Sequence, residues 1–180
     1  MRVVLVAALM LLMGSCLGTA SGGAPKLPSL PTLAQAAGQE EMGPALGMAD
    51  ESGRLIDSQA VQGRVVLVDF WASWCGPCQH SIPFYRRLYE RFQRKGLVVV
   101  GVNVDDDHDD MREYLAVHPL PFSIIWDKEK ALSGRFGVMQ LPTAFLFDRK
   151  GRLRKTRLGF DPEEMREVED EVRLLLGEDG

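Results

Sequence analysis

The segment Val65-Val66-Leu67-Val68-Asp69-Phe70-Trp71 constrains this chain most, because it leads directly into two closely spaced thiols. Its β-branched, nearly uncharged run reads as a strand buried on both faces. Cys75-Gly76-Pro77-Cys78 lies just beyond it, and further on Ile82, Tyr85, Leu88, Tyr89 and Phe92 share one helical face. Two thiols therefore sit where a strand ends and a helix begins. The first N–H groups of a helix have no partner within it, and the helix dipole places partial positive charge there. A thiolate at Cys75 is stabilised by both and becomes reactive near neutral pH. Pro77 suits the first turn, where its missing N–H costs nothing. Cys78 lies one turn further on, within reach of the Cys75 sulfur. Such a pair can close a small disulfide and open it again.

Other uses of this pair fit less well. Zinc needs four ligands, but the only other cysteine is Cys16, and His80, His108 and His118 show no ligand spacing. A purely structural disulfide across so short a loop removes little chain entropy. The run Asp105-Asp106-Asp107-His108-Asp109-Asp110 lacks the glycine and later glutamate of an EF-hand loop. Carboxylates crowding a helix start are favourable by themselves. No metal site and no cofactor are expected, because the redox group is the Cys75–Cys78 pair itself.

The chain opens with Met1-Arg2 and then runs from Val3 to Met13 without a charge. This is a short basic region and an apolar region of signal-peptide length, too short for a standard membrane span. Met13-Gly14-Ser15-Cys16 resembles a bacterial lipobox, whose cysteine becomes the lipidated first residue of the mature protein, although Met13 stands where leucine is usual. The alternative is cleavage after Ala20, which gives a soluble secreted or periplasmic protein. Either route leads to a compartment where disulfides persist. The expectation is a membrane-anchored lipoprotein facing the periplasm, with Cys16 lipidated. Leu17 rather than aspartate comes after Cys16, so no inner-membrane retention signal is evident and the choice of membrane stays open.

The chain divides into three regions: 1–16 as signal peptide with lipobox, 17–42 as a linker rich in Gly, Ala, Pro, Ser and Gln, and 43–180 as one folded domain. A net charge of −4 and a pI near 5.4 argue against nucleic acid as a partner. Within the domain, strands are expected at Arg54–Asp57, Arg64–Phe70, Leu97–Val104 and Phe122–Trp126, with a turn over Ser58–Gly63. Helices are expected at Gln79–Lys95, Asp109–Val117, Lys128–Phe136 and Pro162–Leu176, the last capped by Asp161. Thr143–Asp148 and Arg152–Leu158 form a hairpin through Arg149-Lys150-Gly151, with Gly151 supplying positive φ. The fold class is α/β, with a central mixed sheet flanked by helices on both faces.

From about Gly43 onward the chain resembles the thioredoxin superfamily, and within it the extracytoplasmic TlpA/ResA-like thiol–disulfide oxidoreductases. The resemblance rests on Val68-Asp69-Phe70-Trp71-Ala72-Ser73-Trp74-Cys75-Gly76-Pro77-Cys78 with Pro83, on Val102-Asn103-Val104-Asp105, and on Gln140-Leu141-Pro142-Thr143-Ala144-Phe145-Leu146-Phe147-Asp148. It implies a thioredoxin-like fold, the disulfide at one end of the sheet, a cis proline at Pro142 facing it, and dithiol–disulfide exchange. Cys75 attacks a substrate disulfide and Cys78 resolves the mixed disulfide. Trp74, Gly76, Pro77, Leu141 and Pro142 form the substrate contact, with a backbone edge beside Pro142 left free for an extended client.

Asp69 matches the buried aspartate of thioredoxin, the proton acceptor for the resolving thiol; relatives often carry asparagine here. It shares a face with Leu67 and Val65 that reads as buried, where an unpaired carboxylate should have a raised pKa. The bland reading points it to solvent near the strand end. The lysine of thioredoxin's neighbouring strand is replaced by Gly101. Ser81 stands where several ResA-like proteins carry glutamate, which weighs against a dedicated role in reducing haem apoproteins. Trp71 and Trp74 read as packing residues, Trp74 covering the disulfide, and Pro83 as a kink. The basic residues Arg149 to Arg157 read as a solvated edge that resists strand pairing.

The expected function is a membrane-tethered reductant of disulfides in extracytoplasmic client proteins, recharged by a membrane electron donor and working as a monomer. The alternatives are a thiol oxidase or isomerase of the same fold, since spacing does not fix the potential, or a copper(I)-binding module using both cysteines and Met139.

Overall fold

The computed structural model describes residues 46–177. The leader 1–16 with Cys16, and the linker 17–42, lie outside the described residues.

A two-residue pair, β1 (Met48–Ala49) and β2 (Leu55–Ile56), opens the described part and leads into the short helix α1 (Ser58–Val61). Then come β3 (Val65–Trp71), α2 (Gly76–Phe92), a 3₁₀ turn at Gln93–Lys95, β4 (Leu97–Asn103), α3 (His108–Val117), β5 (Ser123–Trp126), α4 (Ala131–Arg135), β6 (Thr143–Phe147), β7 (Leu153–Leu158) and α5 (Pro162–Gly177). The main sheet has the order β5-β4-β3-β6-β7. β3 runs parallel to β4, and β4 to β5, through helical crossovers; β6 and β7 are antiparallel. β3 is central, which is why every one of its residues is buried.

Strand alternation produces two cores. Val65, Leu67 and Trp71 meet Ile82, Tyr85, Leu88 and Phe92 of α2 and Met165, Val168, Val172 and Leu175 of α5. Val66, Val68 and Phe70 face the other way, onto Leu132 of α4, Phe136, and Leu46, Ile56 and Val61 of the N-terminal segment. The mixed sheet with helices on both faces is the expected thioredoxin-like architecture.

Boundaries shift where side chains cap helices. The expected turn at Ser58–Gly63 is instead α1, because Asp57 Oδ1 accepts the Ala60 N–H at 2.9 Å. α2 begins at Gly76 rather than Gln79, since Cys75 itself is the N-cap. α4 begins three residues later than expected: Lys130 sits at φ 55°, and buried Asp127 accepts the N–H groups of Leu132 and Ser133 at 3.0 and 2.8 Å. Pro83 lies inside α2, which runs on to Phe92.

The basic hairpin is not a bare solvated edge. Arg154, Lys155 and Arg157 pair with Glu171, Glu167 and Glu164 of α5, and Arg152 pairs with Asp148 at 2.7 Å. The three glutamates lie three and four residues apart, so one helix face meets the strand.

Candidate active site

Cys75 and Cys78 are joined by a disulfide, with Cα atoms 5.2 Å apart. The turn that carries them is held from below by β4. Ser73 donates its N–H to both oxygens of Asp105, at 3.0 and 3.1 Å, and Asn103 Nδ2 donates to the same carboxylate at 2.8 Å. Asp105 is fully buried. The Cys75 N–H donates to Ala72 O at 3.2 Å and completes the turn. The Cys78 N–H points at Cys75 Sγ, 3.2 Å away. This is one of the unpartnered donors of the helix start, aimed at the atom that would carry thiolate charge.

Both cysteines are buried, Cys75 at 5% exposure and Cys78 at 0%, and only the first meets open space. Cys75 lines a groove of about 570 Å³ with Trp74, Gly76, Pro77, Val104, Asp106, Lys130, Ser133, Val138, Met139, Gln140 and Leu141. Cys78 is fully buried on the inner face of α2 and does not line it. Trp74 is 68% exposed, so its expected packing role is not borne out; it stands beside the groove as an open aromatic wall. Leu141–Pro142 is cis, as the resemblance implied. The Pro142 carbonyl is not part of a free edge, because it accepts the Gly159 N–H at 2.7 Å. Of that pair Leu141 lines the groove and Pro142 does not.

Lys130 and Asp106 were not legible as groove residues. Lys130 Nζ donates to Val104 O at 2.6 Å and pairs with Asp106 Oδ1 at 3.0 Å, fastening the loop after β4 to the start of α4. The acidic run is thus divided among separate tasks: Asp105 holds the cysteine turn, Asp106 pairs with Lys130, and Asp107 caps α3 through the Asp109 N–H at 2.9 Å.

Asp69 is 2% exposed, which excludes the solvent-facing reading. It lies on the β3 face that α2 covers, the side on which Cys78 is packed. Burial pushes its carboxyl well above the usual range, and Oδ1 has no hydrogen-bond partner. Tyr85 of α2 is likewise pushed up, by burial and then by the charge of Asp69, against the opposing effect of Arg157. Gly101 stands opposite Asp69 on β4. A side chain there would crowd its neighbours, since a Cβ would lie 2.8 Å from Ile124 Cδ1 and 3.0 Å from Trp71 Nε1, and both would have to give way. Ser81 is buried and donates to Cys78 O at 3.1 Å.

Residues 40–156 match the model of the AhpC/TSA family. The chain is 28% identical to the thiol-disulfide oxidoreductase ResA of Bacillus thuringiensis (strain Al Hakam) over 124 residues, 69% of this chain and 72% of that one. It is 30% identical to ResA of Geobacillus thermodenitrificans (strain NG80-2) over 116 residues, 64% of this chain and 67% of the relative. A Chlorobium tepidum protein named as a candidate thiol:disulfide interchange protein, DsbE, superposes with a TM-score of 0.71 at 33% identity, over 75% of this chain and 95% of its own.

Proposed function

The chain belongs to the AhpC/TSA family, as a TlpA/ResA-like member of the thioredoxin superfamily, and is a thiol–disulfide oxidoreductase; on that premise we propose that it reduces disulfides of client proteins outside the cytoplasm while tethered by lipid at Cys16. The observation that carries the reading is the unequal placement of the sulfurs, Cys75 on the groove wall and Cys78 sealed beneath it.

In the reduced enzyme the Cys75 thiolate attacks one sulfur of the client disulfide. The client S–S bond breaks, a Cys75–client disulfide forms, and the other client sulfur leaves as thiolate and takes a proton from water. Cys78 then passes its proton to the Asp69 carboxylate and attacks Cys75 Sγ. The second client thiolate leaves, and the Cys75–Cys78 disulfide closes with two electrons transferred. A dithiol donor in the membrane must reopen it. The Gly-Pro dipeptide between the cysteines supports the reducing direction. The expected reduction potential lies on the side of thioredoxin, about −270 mV, rather than of a strong oxidant at about −120 mV.

Cys78→Ser tests the division of labour. It should accumulate a stable disulfide with clients, recovered from cells and released by reductant, while Cys75→Ser accumulates none. Trapping by Cys75→Ser, through Cys78, would reverse the assignment.

A further inference from the structure

Among the described residues three buried side-chain atoms have no hydrogen-bond partner: Asp69 Oδ1, Trp71 Nε1 and Arg157 Nε. Buried polar atoms without a partner are few in folded proteins, and each calls for water or a function. The first two belong to side chains that leave the same face of β3, because Asp69 and Trp71 are two residues apart on it. Trp71 then reaches across Gly101, the residue directly opposite Asp69. Its Nε1 lies 3.0 Å from where a Cβ on Gly101 would sit. Neighbouring strands lie about 4.8 Å apart, so paired residues on one face start close together. The indole N–H therefore occupies the place from which a cation on β4 would reach Asp69.

Trp71 is set apart from the other tryptophans of the chain. Trp126 Nε1 donates to Asp105 O at 2.9 Å, and Trp74 is exposed. Trp71 is 1% exposed, packed against Tyr114 of α3 with ring centroids 5.2 Å apart.

We propose that Trp71 is a positioning residue for Asp69: its indole N–H donates to one buried water that in turn donates to Asp69 Oδ1, and this neutral link replaces a lysine in setting the carboxyl's proton affinity. The inference rests on Asp69 being the base for Cys78. Neither atom has a direct partner, and buried waters sit where polar groups lack other partners. A donor to the carboxylate favours its charged form, opposing the upward push of burial. The other ionisable groups facing Asp69 are Cys78 and Tyr85 of α2, and Arg157 of β7, which is engaged with Glu164 of α5; β4 and β6 present only Gly101 and Ala144.

The test is Trp71→Phe, which keeps an aromatic ring and removes the donor. Rapid mixing with a model disulfide separates attack by Cys75 from resolution by Cys78. Without the donor the Asp69 carboxyl takes its proton more tightly, so the pH midpoint of resolution should rise by about 0.5–1 unit while the rate of attack stays within about twofold. In an Asp69→Asn background the same change should leave the resolution profile where it is. In the reduced wild type, the indole ¹H–¹⁵N signal of Trp71 should titrate with the resolution midpoint and be flat in Asp69→Asn. This second readout needs no variant of Trp71 and stands if Trp71→Phe fails to fold. A flat indole signal in the wild type, or an unmoved midpoint in folded Trp71→Phe, overturns the proposal and leaves Asp69 as the base. Unchanged resolution in Asp69→Asn overturns the Asp69 assignment itself.

Discussion

Asp69 is a carboxyl buried in an apolar core, and burial alone pushes its pKa well up. Its folded pKa lies well above the unfolded one, so between the two values the native state keeps a proton that the unfolded state has lost. Stability must therefore fall as pH rises through that window, from about pH 4 up to the folded value. Asp69→Asn should be more stable than the wild type at neutral pH and level with it at acid pH, as read by urea unfolding at several pH values. A stability difference that does not change with pH would show that Asp69 stays charged in the fold. The burial of Asp69 was legible from the alternation of β3, because Leu67 and Val65 share its face. The tryptophan over Gly101 was not: an apolar residue at the end of a strand gives no sign of which neighbour its ring will cross. The exposure of Trp74 was hidden for the opposite reason. A bulky aromatic beside a disulfide suggests packing, yet the turn held by Asp105 carries it outward.

At the scale of elements, the hairpin of β6 and β7 depends on one carboxylate. Asp148 accepts the N–H groups of Lys150 and Arg152 at 2.9 and 3.0 Å and the Arg152 Nε at 2.8 Å. Burial pushes its pKa up, but the bonds to Arg152 and Lys150 outweigh burial and bring it below the ordinary value. Asp148 thus contributes stability that is present above the unfolded pKa and lost as pH falls through the folded one. Asp148→Asn should cost about 1–3 kcal/mol at pH 7 and less near pH 3, measured by chemical denaturation. An equal loss at both pH values would mean that the bonds matter and the charge does not. This turn was legible, since Gly151 takes the left-handed conformation the sequence demanded, at φ 78°. The start of α4 was not. Its cap is Asp127, four residues before the helix begins, and the intervening Lys130 adopts a left-handed conformation that no local pattern announces.

Across the whole molecule, the groove is where segments distant in sequence converge: the cysteine turn, the loop after β4, the start of α4 and the segment leading into Pro142. Sequence motifs placed the first and last of these. Lys130 joins the middle two, through Val104 O and Asp106, and only the fold brings them together. Lys130→Ala should therefore weaken protein clients more than small disulfides, seen as a several-fold rise in KM for a protein substrate with little change toward a small aromatic disulfide. Equal effects on both would remove the groove from client recognition. Residues 46–177 hold every element of the groove, while Cys16 lies outside them. Catalysis on small disulfides should then be indifferent to Cys16, whereas meeting a membrane donor should not. One acyl chain binds a bilayer only marginally, and stable anchoring takes more than one hydrophobic signal, which the multiply acylated cysteine of a lipoprotein supplies. Cys16→Ala should leave the purified protein's exchange rate unchanged, release it from the membrane fraction or leave an unprocessed precursor, and abolish client reduction in cells. Mass spectrometry of the wild-type N-terminal peptide should show acyl mass on Cys16. A wild-type mature N-terminus at Ser21 without acyl mass would mean that the enzyme is secreted freely and meets its donor by diffusion.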